Sequence, residues 1–396
     1  MSSTVKGAAL ACFGALAGLS WGHEGLGGLV AFVALLPLLW GQAPSRVWAG
    51  LVALPYFLAS SRGLPFGAGI FFAASAPQWF SWALWAGAGL VNALPWAVFW
   101  SPRCERRALG ALAALAAGAL PPLGIVGWCS PLISAGYLFP GMGLVGLALA
   151  AGLAATSAAG RLVPAGMLAA AALVANVHAW IQPAPVVAST WRSVDTHFPG
   201  LQSAGKFDPI AEGVRMIEVQ AIAAEAAPGS ITVLPETVLP ARGPASAYAW
   251  SFLGGIAQDL RAKGATLIAG TEIRRPGAKS LNALVVLGRG DEAGPLVQRV
   301  PVPIGMWTPW AADGFEASLL GPSTAEVRGS RVGFAVCYEQ LLVWPVVASL
   351  VKRPAVLVGA ANDWWAKDTS IPRIQGQSLD AWGRLFSVPV VKATNL

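Results

Sequence analysis

Charge is scarce in this chain: only 11% of its 396 residues are Asp, Glu, Lys or Arg, less than half the roughly 25% of soluble domains. A fold that is water-soluble throughout is thereby excluded. Histidine is scarcer still, with three in all and only His197 beyond residue 182. That count removes multi-histidine metal centres from the C-terminal half and all but removes a cysteine–histidine dyad there. The four cysteines, Cys12, Cys104, Cys129 and Cys337, have no paired spacing, which excludes a disulfide framework or a zinc site. No metal and no cofactor is expected. The net charge of +7 does not indicate nucleic acid, because five of those units fall in short loops of the apolar half, as topology signals do.

What remains divides the chain in two. Residues 1–182 hold seven basic residues (Lys6, Arg46, Arg62, Arg103, Arg106, Arg107, Arg161) and two acids (Glu24, Glu105), leaving 19 basic and 17 acidic residues for 183–396. The first half reads as a multi-pass α-helical membrane domain of about seven helices, each near the 20 apolar residues a bilayer requires. Expected spans are 5–21, 26–42, 47–60, 80–100, 108–127, 133–156 and 161–181; the stretch 64–79, broken by Pro65 and Pro77, is a re-entrant or interfacial piece. A cleaved leader at 1–21 is not expected, since six crossings follow it. Lys6, Arg46, the Arg103–Arg107 cluster and Arg161 share one side, which the positive-inside rule makes cytoplasmic. Residues 183–396, joined by a Pro-rich linker at 182–186, then lie outside the cytoplasm of a bacterial inner membrane, with membrane lipids as neighbours. Trp79, Trp82, Trp85, Trp96 and Trp100 crowd one region; an interfacial aromatic belt is the reading preferred over a lipid-facing groove.

The second half alternates short apolar runs (Ser230–Leu234, Thr266–Ala269, Ala283–Leu287, Val332–Val336, Ala355–Val358) with helical spacing at 211–226, 248–263 and 373–386, the pattern of α/β layers. Three strand ends carry polar groups, where sites assemble in such folds: Glu236 after Leu234-Pro235, Cys337 after Val336, and Asn362-Asp363 after Ala361. Taken singly, each has an ordinary explanation: a small core thiol, a first-turn acid, a turn.

Taken in order, they resemble a known family. Leu234-Pro235-Glu236-Thr237, Val302-Pro303-Ile304-Gly305, Val336-Cys337-Tyr338-Glu339, Asn362-Asp363-Trp364-Trp365 and Ala393-Thr394-Asn395 look like the carbon–nitrogen hydrolase (nitrilase) superfamily. The membrane half in front of them is similar to the arrangement in apolipoprotein N-acyltransferase. Longer strings, Ala59-Ser60-Ser61-Arg62-Gly63-Leu64-Pro65, Pro121-Pro122-Leu123-Gly124-Ile125-Val126-Gly127-Trp128 and Val194-Asp195-Thr196, resemble conjugal transfer proteins of rhizobial and agrobacterial plasmids. The resemblance implies a four-layer αββα sandwich, incomplete at the C-terminus because the family's last strands and final membrane helix would follow Leu396. It implies Cys337 as nucleophile, Glu236 as general base, the Tyr338 N–H as oxyanion donor and Glu339 as a supporting carboxylate. Where the family has a catalytic lysine this chain has Gln298, with Arg299 adjacent. Arg299 is expected to aim its guanidinium at Cys337 and Glu236. The acid that ends the family's Val-Pro-Phe-Gly-Glu stretch is here Met306.

Three readings follow. One is thiol amidase or N-acyltransferase chemistry on a lipid or amide substrate, with a role in plasmid transfer. The second is a catalytically inactive scaffold working with other conjugal transfer proteins. A transporter ranks last, since the spans hold almost no charge.

Overall fold

The computed structural model describes residues 2–183, 185–199, 209–290 and 293–396; residue 184 of the expected linker lies outside them. The chain forms two compact units. Unit 1 comprises Met1–Pro185 together with Leu341–Val347 and Ala366–Val388, and unit 2 comprises Val186–Gln340, Ala348–Trp365 and Pro389–Leu396. The expected division at 182/183 therefore falls three residues early and misses two returns of the chain to unit 1.

Unit 1 is helical. Ser3–Leu19, Arg46–Ser60, Trp79–Val98, Cys104–Ala119, Gly143–Ala158 and Leu162–Ile181 fall where six spans are expected. The segment 26–42 differs: it runs as a 3-10 helix, Gly27–Leu35, into a short α-helix, Leu36–Gly41. The 133–156 segment breaks at Gly141 and Gly143, whose φ values of 77° and 53° favour glycine; its two parts meet at 118°. Among the described residues one helix, Leu162–Ile181, is long and apolar enough to cross a bilayer, or two if the bent pair counts as one span. Trp79 and Trp82 are exposed, whereas Trp96 and Trp100 are buried. Trp96 belongs to the core, its ring edge-on to Trp40 at 5.7 Å and its carbonyl accepting from Trp40 Nε1.

Ser3–Leu19 starts at Ser2, whose hydroxyl accepts from Val5 N and so satisfies one of the open donors of the first turn. It packs on Arg46–Ser60 through glycines. A Cβ added at Gly14 would lie 2.2 Å from Val52 O, and one at Gly18 2.3 Å from Tyr56 O, so the backbones themselves touch, as small residues permit between apolar helices. Gly14→Leu is expected to force them apart at a cost of about 3 kcal/mol, seen as a lower thermal midpoint in detergent; an unchanged midpoint would contradict the close approach.

The helix expected at 373–386 forms over Ile371–Phe386 and belongs to unit 1. Ala381 meets Gly136, Gln377 Oε1 accepts from Gly22 N and Gln377 Nε2 donates to His23 O.

Unit 2 is built on two mixed sheets. The first has β1 (Trp191–Ser193), β2 (Ile231–Val233), β3 (Thr266–Ile273), β4 (Leu281–Gly288) and β5 (Leu296–Val297) in that order, parallel from β1 to β3 and antiparallel from β3 to β5. The second has β6 (Thr324–Val327), β7 (Ser330–Val336), β8 (Val356–Asn362) and β9 (Val390–Asn395), antiparallel at β6–β7 and parallel thereafter. Strand alternation sorts the apolar residues. Leu267, Ala269, Val285 and Leu287 pack towards the helices Pro209–Ala224 and Ala247–Ala262. Ile231, Val233, Ile268, Leu284 and Val286 pack instead with Val332, Phe334, Val336, Val358 and Val391 of the second sheet. Both faces of the first sheet are thus buried, which is why its strands read as unbroken apolar runs. Unit 2 by itself shows three of the four expected layers. Ile371–Phe386 and the first part of Val343–Leu350 group with unit 1.

Candidate active site

β2 of the first sheet and the parallel neighbours β7 and β8 of the second each lead into a polar residue. Glu236 follows β2 by three residues, Cys337 follows β7 directly, and Asn362 closes β8. Both the thiol and the carboxylate are buried, at 5% and 3% exposure, and they share a hydrogen bond. The backbone N–H of Asn362 donates to Glu236 Oε2 at 3.0 Å and also faces the Cys337 sulfur.

Cys337 has φ +49°, a left-handed conformation uncommon for a residue with a Cβ. Glu339 imposes it. The Glu339 carboxylate accepts from Val336 N (2.9 Å) on Oε2, and from Arg299 N (2.6 Å) and Val300 N (3.2 Å) on Oε1. These bonds fold the turn Cys337–Leu341 back against the end of β7. Strain held by its surroundings in this way is characteristic of functional turns.

Arg299 does not take the course expected of it. Its guanidinium pairs with Glu339 Oε1 at 3.3 Å, donates to Phe334 O at 3.1 Å and Ser349 Oγ at 3.3 Å, and lies over the Phe334 ring. Both charges are buried, at 1% and 0% side-chain exposure, so Coulomb attraction and desolvation draw Arg299 to the acid beneath the nucleophile turn. The groups that set the character of Glu236 are Cys337, Asn282, the Asn362 N–H and the charge of Glu339.

Gln298 is the neighbour that reaches the site. Its Nε2 donates to Val336 O at 2.9 Å and its Oε1 accepts from Asn282 Nδ2 at 2.7 Å. The same Nδ2 donates to Glu236 Oε1. Asn282 Oδ1 is buried without a hydrogen-bond partner, a state that costs about 1–3 kcal/mol. Sequence reasoning missed Asn282, because a single polar residue beside an apolar run carries no local mark of its role. Asn362, read as a turn candidate, is fixed from both sides: its Nδ2 donates to Thr237 Oγ1 and its Oδ1 accepts from Asn395 Nδ2 at 2.7 Å. Asn395 in turn accepts from Thr196 Oγ1 (2.8 Å) and Phe198 N (2.7 Å), joining two strings that the sequence offers without a role. Tyr338 is buried, and burial pushes its phenol upward. The 302–307 loop closes on itself, with Ile304 N bonded to Trp307 O and Met306 N to Val302 O.

Burial dominates the protonation of the pair. It raises the Glu236 carboxyl from its ordinary value to about 7, against the lowering effect of its donors. Burial first, and then the charges of Glu236 and Asp363, push the Cys337 thiol well up. At neutral pH the site therefore holds a thiol beside a carboxyl group poised to gain or lose one proton, the condition a general base near pH 7 requires.

No protein-family model matches the chain. It is 36% identical, over 96% of its length and 90% of the relative's, to "Conjugal transfer protein TraB" of Agrobacterium fabrum. It is 33% identical to "Probable conjugal transfer protein TraB" of Sinorhizobium fredii, over 94% of each. Similarity to "Apolipoprotein N-acyltransferase" of Azotobacter vinelandii is 27% over 82% of this chain and 64% of that one. Among solved structures, an amidase from Nesterenkonia sp. AN1 aligns over 51% of this chain and 74% of its own at 17% identity and a TM-score of 0.38. A carbon–nitrogen hydrolase from Helicobacter pylori G27 does so over 52% and 72%, at 14% identity and a TM-score of 0.36.

Proposed function

The chain belongs to the TraB family of conjugal transfer proteins, and on that premise we propose that it is an inner-membrane, nitrilase-type thiol enzyme whose acyl chemistry supports plasmid transfer. The observation that carries this reading is the buried hydrogen bond between Cys337, at the end of β7, and Glu236, just past the end of β2. Cys337 Sγ attacks the carbonyl carbon of an amide or ester while Glu236 accepts the thiol proton. The tetrahedral oxyanion is stabilised by backbone donors of the nucleophile turn, beginning with Tyr338 N–H. Collapse breaks the bond to the leaving amine or alcohol, which takes the proton back from Glu236, and leaves a thioester on Cys337. Water or an acceptor amine, deprotonated by Glu236, then attacks the thioester and regenerates the thiol.

The membrane assignment draws support from Leu162–Ile181, on which Leu162, Val163, Met167, Leu173, Val174 and Trp180 are each 67% exposed or more. Such a surface suits hydrocarbon and not water. Arg46 and Arg107 both bind the 100–101 turn, through Trp100 O and Ser101 O, in keeping with one basic end of unit 1. By the positive-inside rule that end faces the cytoplasm and residues 183–396 the periplasm. The test is Cys337→Ser in the plasmid's own copy. Transfer frequency is expected to fall to that of a deletion while the protein accumulates normally; normal transfer would overturn the enzymatic reading. It would leave the scaffold reading, which one observation favours: Arg299, next to the position of the family's lysine, pairs with Glu339.

A further inference from the structure

The bonds around Glu236 have a direction that the backbone dictates. Val336 O can only accept. Gln298 must therefore present its amino group to that carbonyl and its oxygen to Asn282. Asn282 must then present its own amino group, which serves Gln298 Oε1 and Glu236 Oε1 together. Its oxygen is left buried and unpaired, so the orientation is held by the donor end although it strands the acceptor. The chain of bonds starts at the residue before the nucleophile and finishes on the carboxylate that contacts the nucleophile. All three side chains are buried, Asn282 to 1% exposure, Gln298 to 0% and Glu236 to 3%.

We propose that Gln298 and Asn282 are positioning residues, forming a directed amide relay that orients Glu236 towards Cys337 with neutral donors in place of a cation. This rests on the reading of Cys337 and Glu236 as nucleophile and base, and adds how that base is held and tuned. Neutral donors fix geometry without the strong acid-ward pull of an ion pair. The thiol's reactivity is then gated by pH near neutrality rather than switched on throughout the physiological range.

The test is the rate at which iodoacetamide alkylates Cys337 in the full-length protein in detergent, followed on the Cys337 peptide by mass spectrometry between pH 5 and 9. The parent's rate is expected to rise with pH through a midpoint near 7, where Glu236 loses its proton. Gln298→Met and Asn282→Leu, close in size and unable to continue the relay, are expected to slow labelling about tenfold or more at pH 7 through misplacement of Glu236. Gln298→Lys is expected to move the midpoint at least about one unit to lower pH, by setting a positive charge beside the carboxylate. A purely structural role would lower thermal stability and leave the midpoint in place. Labelling of the parent that survives Glu236→Gln overturns the reading of the site itself. Glu236-dependent labelling whose rate and midpoint are the same in the variants as in the parent overturns the relay alone. Should Gln298→Lys fail to fold, Gln298→Met and Asn282→Leu decide the matter.

Discussion

Arg299→Met is expected to destabilise the protein by about 3–5 kcal/mol, because it leaves the Glu339 charge buried with no counter-charge. Glu339 is fully buried, and in the folded protein its carboxylate meets the guanidinium and the N–H groups of Arg299, Val300 and Val336. The N–H groups remain in the variant, but they cannot supply the lost positive charge. The double variant Arg299→Met with Glu339→Gln is expected to recover a large part of the loss, since neither charge then has to be desolvated. Chemical unfolding of the single and double variants provides the measurement. A single variant as stable as the parent would mean that the pair does not hold the nucleophile turn. The same variant separates two roles for Arg299. A charge serving the reacting atoms would give a stable, unreactive protein, whereas the observed geometry gives an unstable one.

Glu236→Gln carries the second large effect. Removing a positioned general base is expected to slow Cys337 alkylation at pH 7.5 by about 10²-fold or more, since the buried thiol is then left without its proton acceptor. The substitution also changes how stability depends on pH. The Glu236 carboxyl titrates at about 7 in the folded protein because burial penalises its charged form, against an ordinary value of 4.5. The folded state therefore retains a proton that the unfolded chain has already released between those limits. The stability this contributes is complete below about pH 4.5 and is lost as pH rises through about 7, a change on the order of 3 kcal/mol. Thermal midpoints of parent and Glu236→Gln are expected to lie close together at pH 4, where the carboxyl is as uncharged as the amide, and to separate as pH rises towards 8, as the parent loses this contribution and the variant does not. Parallel curves would show that Glu236 is not held protonated by burial.

The strands β2, β3, β4, β7 and β8 were legible because burial on two faces leaves unbroken apolar runs, and the meeting of Glu236 with Cys337 was legible through the ordered motifs that resemble the nitrilase superfamily, since a polar residue after a strand says little by itself. β1, β5 and β6 carry too few apolar residues in sequence to announce themselves. Gln298 was visible only as an absent lysine, and Asn282 not at all, since side chains that meet across β4 and β5 are 16 residues apart in the chain. The direction of Arg299 depends on Glu339, 40 residues away. Glycines such as Gly14 were countable in the sequence, but which helix backbone each admits is a property of the packed pair.

The return of Ile371–Phe386 to unit 1 has a consequence for biosynthesis. This helix contributes the fully buried Trp382, Leu385 and Ile374, yet it is made long after the helices between Ser3 and Ile181. Domains made first generally fold first during translation; here the unit that emerges first cannot finish until unit 2 and the segment Ala366–Val388 have been made. The N-terminal helices must wait for their final partner, and severing the chain at Pro185 would give two unfinished halves instead of two working modules.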